Sequence, residues 1–306
     1  MPKIGGKAAG GNLSGEENIF PQAWPHADLQ GGEGRAMTFE GKVAIVTGAG
    51  TGLGAAVARR LAAQGAKVIV NYSRSRNEAQ GVADEIVVAG GEAAAVQGNI
   101  DQDEDCRRLV AETVDRWGRV DILVNNAART KLVAHDDLDG LSAEDFLAIY
   151  RTNVVGAYQM VRACRPLMKA QGFGAVVNVS SIGGLLGVGS CMAYSASKGA
   201  LNTMTMAMAR SLGPEIRVNA VCPGFIASRW FSDPFGQDGL QQMIEAQQCL
   251  TPLARAGTPE DIAKAVVFLA GEGAEHITGV TLISDAGLHL STGATTPRKE
   301  EMTSGR

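Results

Sequence analysis

The chain has 306 residues, 45% hydrophobic and 20% charged, which is enough apolar material for one large compact domain and excludes disorder throughout. With 28 Lys and Arg against 32 Asp and Glu the formal charge is −4, so the attraction that draws proteins to nucleic acid or anionic membranes is missing. Apolar runs break well before the roughly 18 residues a spanning helix needs, and the N-terminus lacks the apolar stretch of a secretory signal, so a soluble, cytoplasmic protein is expected.

Residues 1–36 hold eight of the 39 glycines and show no periodicity, which reads as a flexible leader. Met37 offers an alternative start, and function is expected to survive deletion of 1–36. From there short β-branched runs alternate with longer patterns that place apolar residues three and four apart. Strands are expected at 43–47, 67–71, 93–97, 122–125, 175–180, 217–221 and 281–284. Helices are expected near 52–64, 77–89, 103–117, 143–170, 192–212 and 259–270. Near-continuous apolar strands belong to a parallel sheet covered on both faces, so 37–290 reads as a single doubly wound α/β domain of about seven parallel strands. Residues 291–306 read as a second flexible tail.

Thr47-Gly48-Ala49-Gly50-Thr51-Gly52-Leu53-Gly54 follows the first strand and opens the first helix. Glycines there let the backbone turn tightly and approach a pyrophosphate, which the helix N-terminus stabilises. An NAD site usually carries an acid at the end of the second strand. Here the stretch is Asn71-Tyr72-Ser73-Arg74-Ser75-Arg76, without a carboxylate. A guanidinium at Arg74 or Arg76 would suit a 2′-phosphate, so NADP(H) is preferred and NAD(H) stays open, because both arginines also read as solvated loop charges.

Tyr194 and Lys198 stand four apart at the start of the helical stretch 192–212 and so share a face, where an ammonium would favour the phenolate. Ser181 closes the fifth strand at the carboxyl edge of the sheet, where ligands of open α/β folds bind. Asn125-Asn126-Ala127-Ala128 and Pro223-Gly224 end strands at that edge, and Asn153 sits in the long helix, where Asn is a poor residue.

In this order the motifs resemble those of the short-chain dehydrogenases/reductases, over about 40–290, and of the compact type that includes 3-oxoacyl carrier-protein reductases and glucose dehydrogenases. The resemblance implies a Rossmann fold and hydride transfer between a nicotinamide cofactor and a ketone or secondary alcohol. It implies that Ser181 orients the carbonyl, Tyr194 protonates it, Lys198 lowers the tyrosine pKa and bonds the ribose, and Asn153 holds a water. The cofactor would lie on Gly48, Gly50, Thr51, Gly52, Leu53 and Gly54; on Tyr72, Ser73 and Arg74; on Asn99 and Ile100; on Asn126 and Ala127; and on Pro223, Gly224, Ile226 and Ser228, with Tyr194 and Lys198 at its reactive end. Three positions depart from the family pattern: Ala128 for a glycine, Asn99 for an aspartate, and Ala286 for the middle glycine of Asp-Gly-Gly. A homotetramer packed through helices 143–170 and 192–212 is also implied.

The five cysteines form no C-x-x-C pair and the histidines at 26, 135, 276 and 289 have no ligand spacing, so a metal or disulfide scaffold is not expected. The span from Phe225 to Pro252 reads as a long binding loop whose Phe225, Trp230, Phe231 and Phe235 wall an apolar pocket. Residues 187–192 are small and are expected to face a bulky or cyclic ketone. Lys169, Arg129 and Lys131 give thin support for an acyl carrier protein as partner. Other readings are an NAD-dependent alcohol or sugar dehydrogenase, a 3-oxoacyl carrier-protein reductase, and a non-catalytic dinucleotide-binding sensor or scaffold.

Overall fold

The computed structural model describes residues 39–291. The leader expected over 1–36, and all but the first residue of the tail expected over 291–306, lie outside the described residues. In chain order the elements are β1 (Val43–Val46), α1 (Gly52–Ala62), β2 (Lys67–Tyr72), α2 (Arg76–Val88), β3 (Glu92–Gln97), α3 (Asp103–Trp117) and β4 (Ile122–Asn125). Then come α4 (Ala143–Tyr150), a π-helical turn (Arg151–Gly156), α5 (Ala157–Gln171), β5 (Gly174–Val179), α6 (Gly183–Leu186) and α7 (Met192–Leu212). The chain continues through β6 (Ile216–Pro223), α8 (Arg229–Leu250), α9 (Pro259–Ala270) and β7 (Thr281–Ser284).

All seven strands pair in parallel in the order β3-β2-β1-β4-β5-β6-β7. Successive strand residues point to opposite faces, and helices cover both, so strand positions are mostly apolar. Ala44 and Val46 enter the core shared with Val57 and Leu61 of α1 and Val266 of α9. Ile45, between them, enters the opposite core with Leu109 of α3 and Met160 of α5. Strand order reverses direction between β1 and β4, which leaves a crevice at the carboxyl edge where the loops diverge to opposite faces. At the other edge the buried Asp121 carboxylate accepts the Val43 N–H at 2.9 Å and is held by Arg119 at 2.6 and 2.8 Å.

Two expectations need correction. The single helix expected over 143–170 is two helices joined by the π turn, with Asn153 inside that turn. The long loop expected from Phe225 to Pro252 is mostly helical: α8 runs from Arg229 to Leu250, kinked at Gly236, whose φ of +72° lies outside the helical region. No residue of α8 is buried, so it carries no apolar stripe for periodicity to detect. The five cysteines are free thiols.

Candidate active site

One cavity of about 1300 Å³ opens at the carboxyl edge of the sheet. Thr47, at the end of β1, organises it: its hydroxyl accepts the N–H groups of Asn126 and Ala127, each at 3.0 Å. The Asn126 amide donates back to the Thr47 and Gly48 carbonyls at 2.9 and 3.0 Å, tying the glycine turn to the end of β4. This closeness dictates two glycines. A Cβ on Gly54 would stand 2.5 Å from both the Asn126 amide and the Gly48 carbonyl, while Gly48 has φ +61° and its Cβ would stand 2.9 Å from the Ala127 backbone.

Gly52, Leu53 and Gly54 line the cavity at the start of α1. Thr51 offers its side chain to no N–H there, and the first turn has no acid. These orphan donors and the positive end of the helix dipole suit a pyrophosphate. Asn71, which sequence reasoning did not place in the site, accepts the Gly48 N–H at 3.3 Å and donates to the Gly98 carbonyl at 3.0 Å. Tyr72, Ser73, Arg74, Asn99 and Ile100 line the same end, as do Pro223, Gly224, Ile226 and Ser228 further along. Arg76 does not; it begins α2. Gly50 does not line the cavity either, because its missing side chain leaves room for Ser75 and Ala79, 3.0 and 3.2 Å from where a Cβ would sit. Thus the glycine cradle, the free helix N-terminus and the Arg74 guanidinium fit a dinucleotide.

At the other end Ser181, Tyr194 and Lys198 line the cavity together. Lys198 is buried, its ammonium 2.7 Å from the Val179 carbonyl and 5.5 Å from the centre of the Tyr194 ring. Burial pulls its pKa down to about 8. The expected lowering of the Tyr194 pKa by Lys198 is not found. Burial pushes the phenol up to about 12, and only the Ser181 hydroxyl works in the opposite direction. The phenol therefore carries its proton at neutral pH.

The Asn153 side chain is engaged within the protein. Its side chain accepts the Arg129 N–H at 2.8 Å and donates to the Arg129 carbonyl at 3.0 Å and to Ser197 Oγ at 2.9 Å. Ser197 in turn donates to the Tyr194 carbonyl at 2.7 Å. The amide thus clamps the loop after β4 to the helix that bears Tyr194, and it is Thr152 that lines the cavity. The Ser197 link escaped the sequence because a helical serine looks the same whether or not a distant amide reaches it.

Walls of the substrate half come from α8 and from two short loops. Trp230 packs 6.0 Å from the Tyr194 ring centre to centre, tilted by 51°, and Phe225 packs 4.7 Å from Phe231. Phe235 and Met243 also line it. Val188, Gly189 and Ser190 face the cavity as expected, whereas Gly187, Cys191 and Met192 do not; Cys191 is buried as the cap of α7.

A family model described as Enoyl-(Acyl carrier protein) reductase matches residues 48–289. A 3-oxoacyl-[acyl-carrier-protein] reductase of Synechocystis is 38% identical over 249 residues, covering 81% of this chain and 96% of that protein. The protein named ketoacyl reductase 2 of the granaticin polyketide synthase of Streptomyces violaceoruber is 40% identical over 251 residues, covering 82% and 97%. A crystal structure described as a short-chain dehydrogenase/reductase from Burkholderia xenovorans superposes with a TM-score of 0.75 at 36% identity, covering 82% of this chain and 98% of that one. The chain is a short-chain dehydrogenase/reductase. As such it is an NAD(P)-dependent oxidoreductase acting on a ketone or secondary alcohol, built on a Rossmann-type fold. Among the described residues of this oxidoreductase no helix is long and apolar enough to cross a membrane. Its departure at Ala286 has a structural cost, since Ala286 adopts φ +56°, in the left-handed region where the glycine of the family pattern would be at ease.

Proposed function

We propose that this reductase uses NADPH to reduce a ketone, with Ser181, Tyr194 and Lys198 as its catalytic residues. The observation that carries the reading is the convergence of these three side chains with the glycine cradle and Arg74 on one cavity. Bound nicotinamide supplies the hydride for the carbonyl carbon, or accepts it in the reverse direction. Ser181 Oγ holds the carbonyl oxygen, and Tyr194 Oη donates its proton to that oxygen as it becomes a hydroxyl. The Lys198 ammonium, charged below about pH 8, holds the ribose hydroxyls and stabilises the phenolate that Tyr194 leaves behind. Asn153 keeps the loop after β4 in place. The proposal includes no water held by its side chain, which is already engaged with Arg129 and Ser197.

Titration of the purified protein with NADPH and with NADH by fluorescence, at fixed ionic strength, tests the cofactor. NADPH should bind at least ten-fold more tightly, and Arg74→Gln should remove the difference while leaving NADH binding unchanged. Equal affinities would overturn the NADP preference. A carrier-bound ketoacyl substrate, of the kind named for two relatives, finds less support. Lys131 is paired with Asp145 at 2.7 Å and Lys169 faces Glu215 at 3.6 Å, so neither offers an acidic carrier protein an unpaired charge. We further infer assembly with other copies through α4, α5 and α7, where Phe146, Leu147, Tyr158 and Met206 are exposed.

A further inference from the structure

Among the described residues, two guanidiniums lining the cavity are unpaired, and the dinucleotide accounts for one of them. Arg74 stands at the end of β2 beside the glycine turn. Arg129 lines the cavity from the loop after β4, between Ala128 and the apolar Leu132 and Val133. Its side chain is exposed and makes no ion pair or hydrogen bond among the described residues. Two other nearby cations are engaged: Lys131 with Asp145, and Arg229 with Glu78 and Asp233. Among the described residues, the only acid lining the cavity is Asp101, on the segment after β3, three strands from β4. Asp136, Asp137 and Asp139, on Arg129's own loop, do not line it.

Unlike an ordinary solvated cation on a free loop, Arg129 sits on a constrained backbone. Both polar groups of the Arg129 backbone are held by the Asn153 amide, and Asn153 is linked through Ser197 to the carbonyl of Tyr194. Four short bonds therefore fix the origin of the Arg129 side chain relative to the proton donor. The loop is pinned again across the cavity mouth: Thr130 Oγ1 lies 2.5 Å from Ser190 Oγ, and the Val133 N–H donates to the Ser190 carbonyl at 3.0 Å. Trp230, Phe231 and Phe235, which line the same cavity, carry aromatic rings with no acceptor to compete with an anion for the guanidinium. A guanidinium at the edge of an apolar pocket binds a planar oxyanion through two parallel hydrogen bonds, which strengthen as water is excluded.

We propose that Arg129 determines substrate specificity by pairing with a carboxylate carried on a free ketone substrate. This rests on the ketone-reduction reading above and narrows it to keto acids. One guanidinium suits a single small anion, whereas a carrier protein would need a basic surface, and the other candidates for that surface, Lys131 and Lys169, are paired.

The test compares wild type and Arg129→Gln, at saturating NADPH, on levulinate and para-acetylbenzoate, on the methyl ester of each, and on a neutral oxoacyl thioester of N-acetylcysteamine. Wild type should favour at least one acid over its ester by ten-fold or more in kcat/KM. Arg129→Gln should lose about ten- to hundred-fold on that acid, mainly through KM, while its ester kinetics and NADPH dissociation constant stay within two-fold. Turnover of esters or thioester by wild type with no preference for either acid overturns the proposal and leaves ketone reduction standing. So does a variant that loses NADPH affinity while keeping the acid-to-ester ratio, which would make Arg129 a cofactor contact. Tight NADPH binding with no turnover of any of the five compounds overturns the ketone-reduction reading, and this proposal with it.

Discussion

Burial keeps the Tyr194 phenol protonated at neutral pH, whereas Lys198 keeps its proton there despite burial that pulls its pKa down to about 8. Tyr194→Phe removes the proposed proton donor and little else, so it should lower kcat by at least a hundred-fold with NADPH affinity unchanged; near-normal turnover would remove Tyr194 from the mechanism. Lys198 makes a second prediction through linkage. Its pKa falls from 10.5 to about 8 on folding, so between those pH values the unfolded chain binds a proton that the folded chain has released. Stability should therefore rise with pH across that window, by up to about 3 kcal/mol, relative to Lys198→Met. Urea unfolding at several pH values checks this, and parallel curves for the two proteins would contradict it. Residue identities were legible in the sequence because Ser181, Tyr194 and Lys198 have a characteristic spacing. Their pKa values were not, since they depend on how deeply α7 is packed. The Asn153 clamp was not legible for a similar reason: its partners, Arg129 and Ser197, stand 24 and 44 residues away.

At the scale of elements, the glycine turn was readable because strand, turn and helix are consecutive, and the structure adds which glycine tolerates least. Gly54→Ala should cost at least ten-fold in dinucleotide affinity, since its methyl would push α1 away from Asn126. Gly50→Ala should instead act on the packing of α2. Binding titrations of both variants separate the two effects. In the turn after β7, Ala286 is the strained residue, between Asp285, whose carboxylate accepts the Gly287 and His289 N–H groups, and Gly287. Ala286→Gly should raise stability by about 0.5 kcal/mol, the left-handed penalty less the added chain entropy, as read by urea unfolding. The strands were legible because the central ones, buried on both faces, are nearly continuous apolar runs, and the edge strands β3 and β7 are short runs of Ala, Val, Leu and Ile. α8 was not, because a helix that buries none of its side chains leaves no periodic trace.

Across the whole molecule the sheet divides the labour: one core under α1, α2 and α9, another under α3, α5 and α7, and chemistry along the edge between them. Apolar side chains left exposed on α4, α5 and α7 predict an assembly. Sedimentation should find an oligomer that Leu147→Glu dissociates; a wild-type monomer would contradict the assembly. The π turn bears on this division. An α-helix advances about 100° per residue, and a π turn takes up roughly one residue more than an α turn. The backbone on either side of Arg151–Gly156 is therefore out of phase: α4 turns its inner side to α7, while α5 turns its own to α3. Without the phase shift, a single straight rod could not serve both neighbours, and one of its two seams would open.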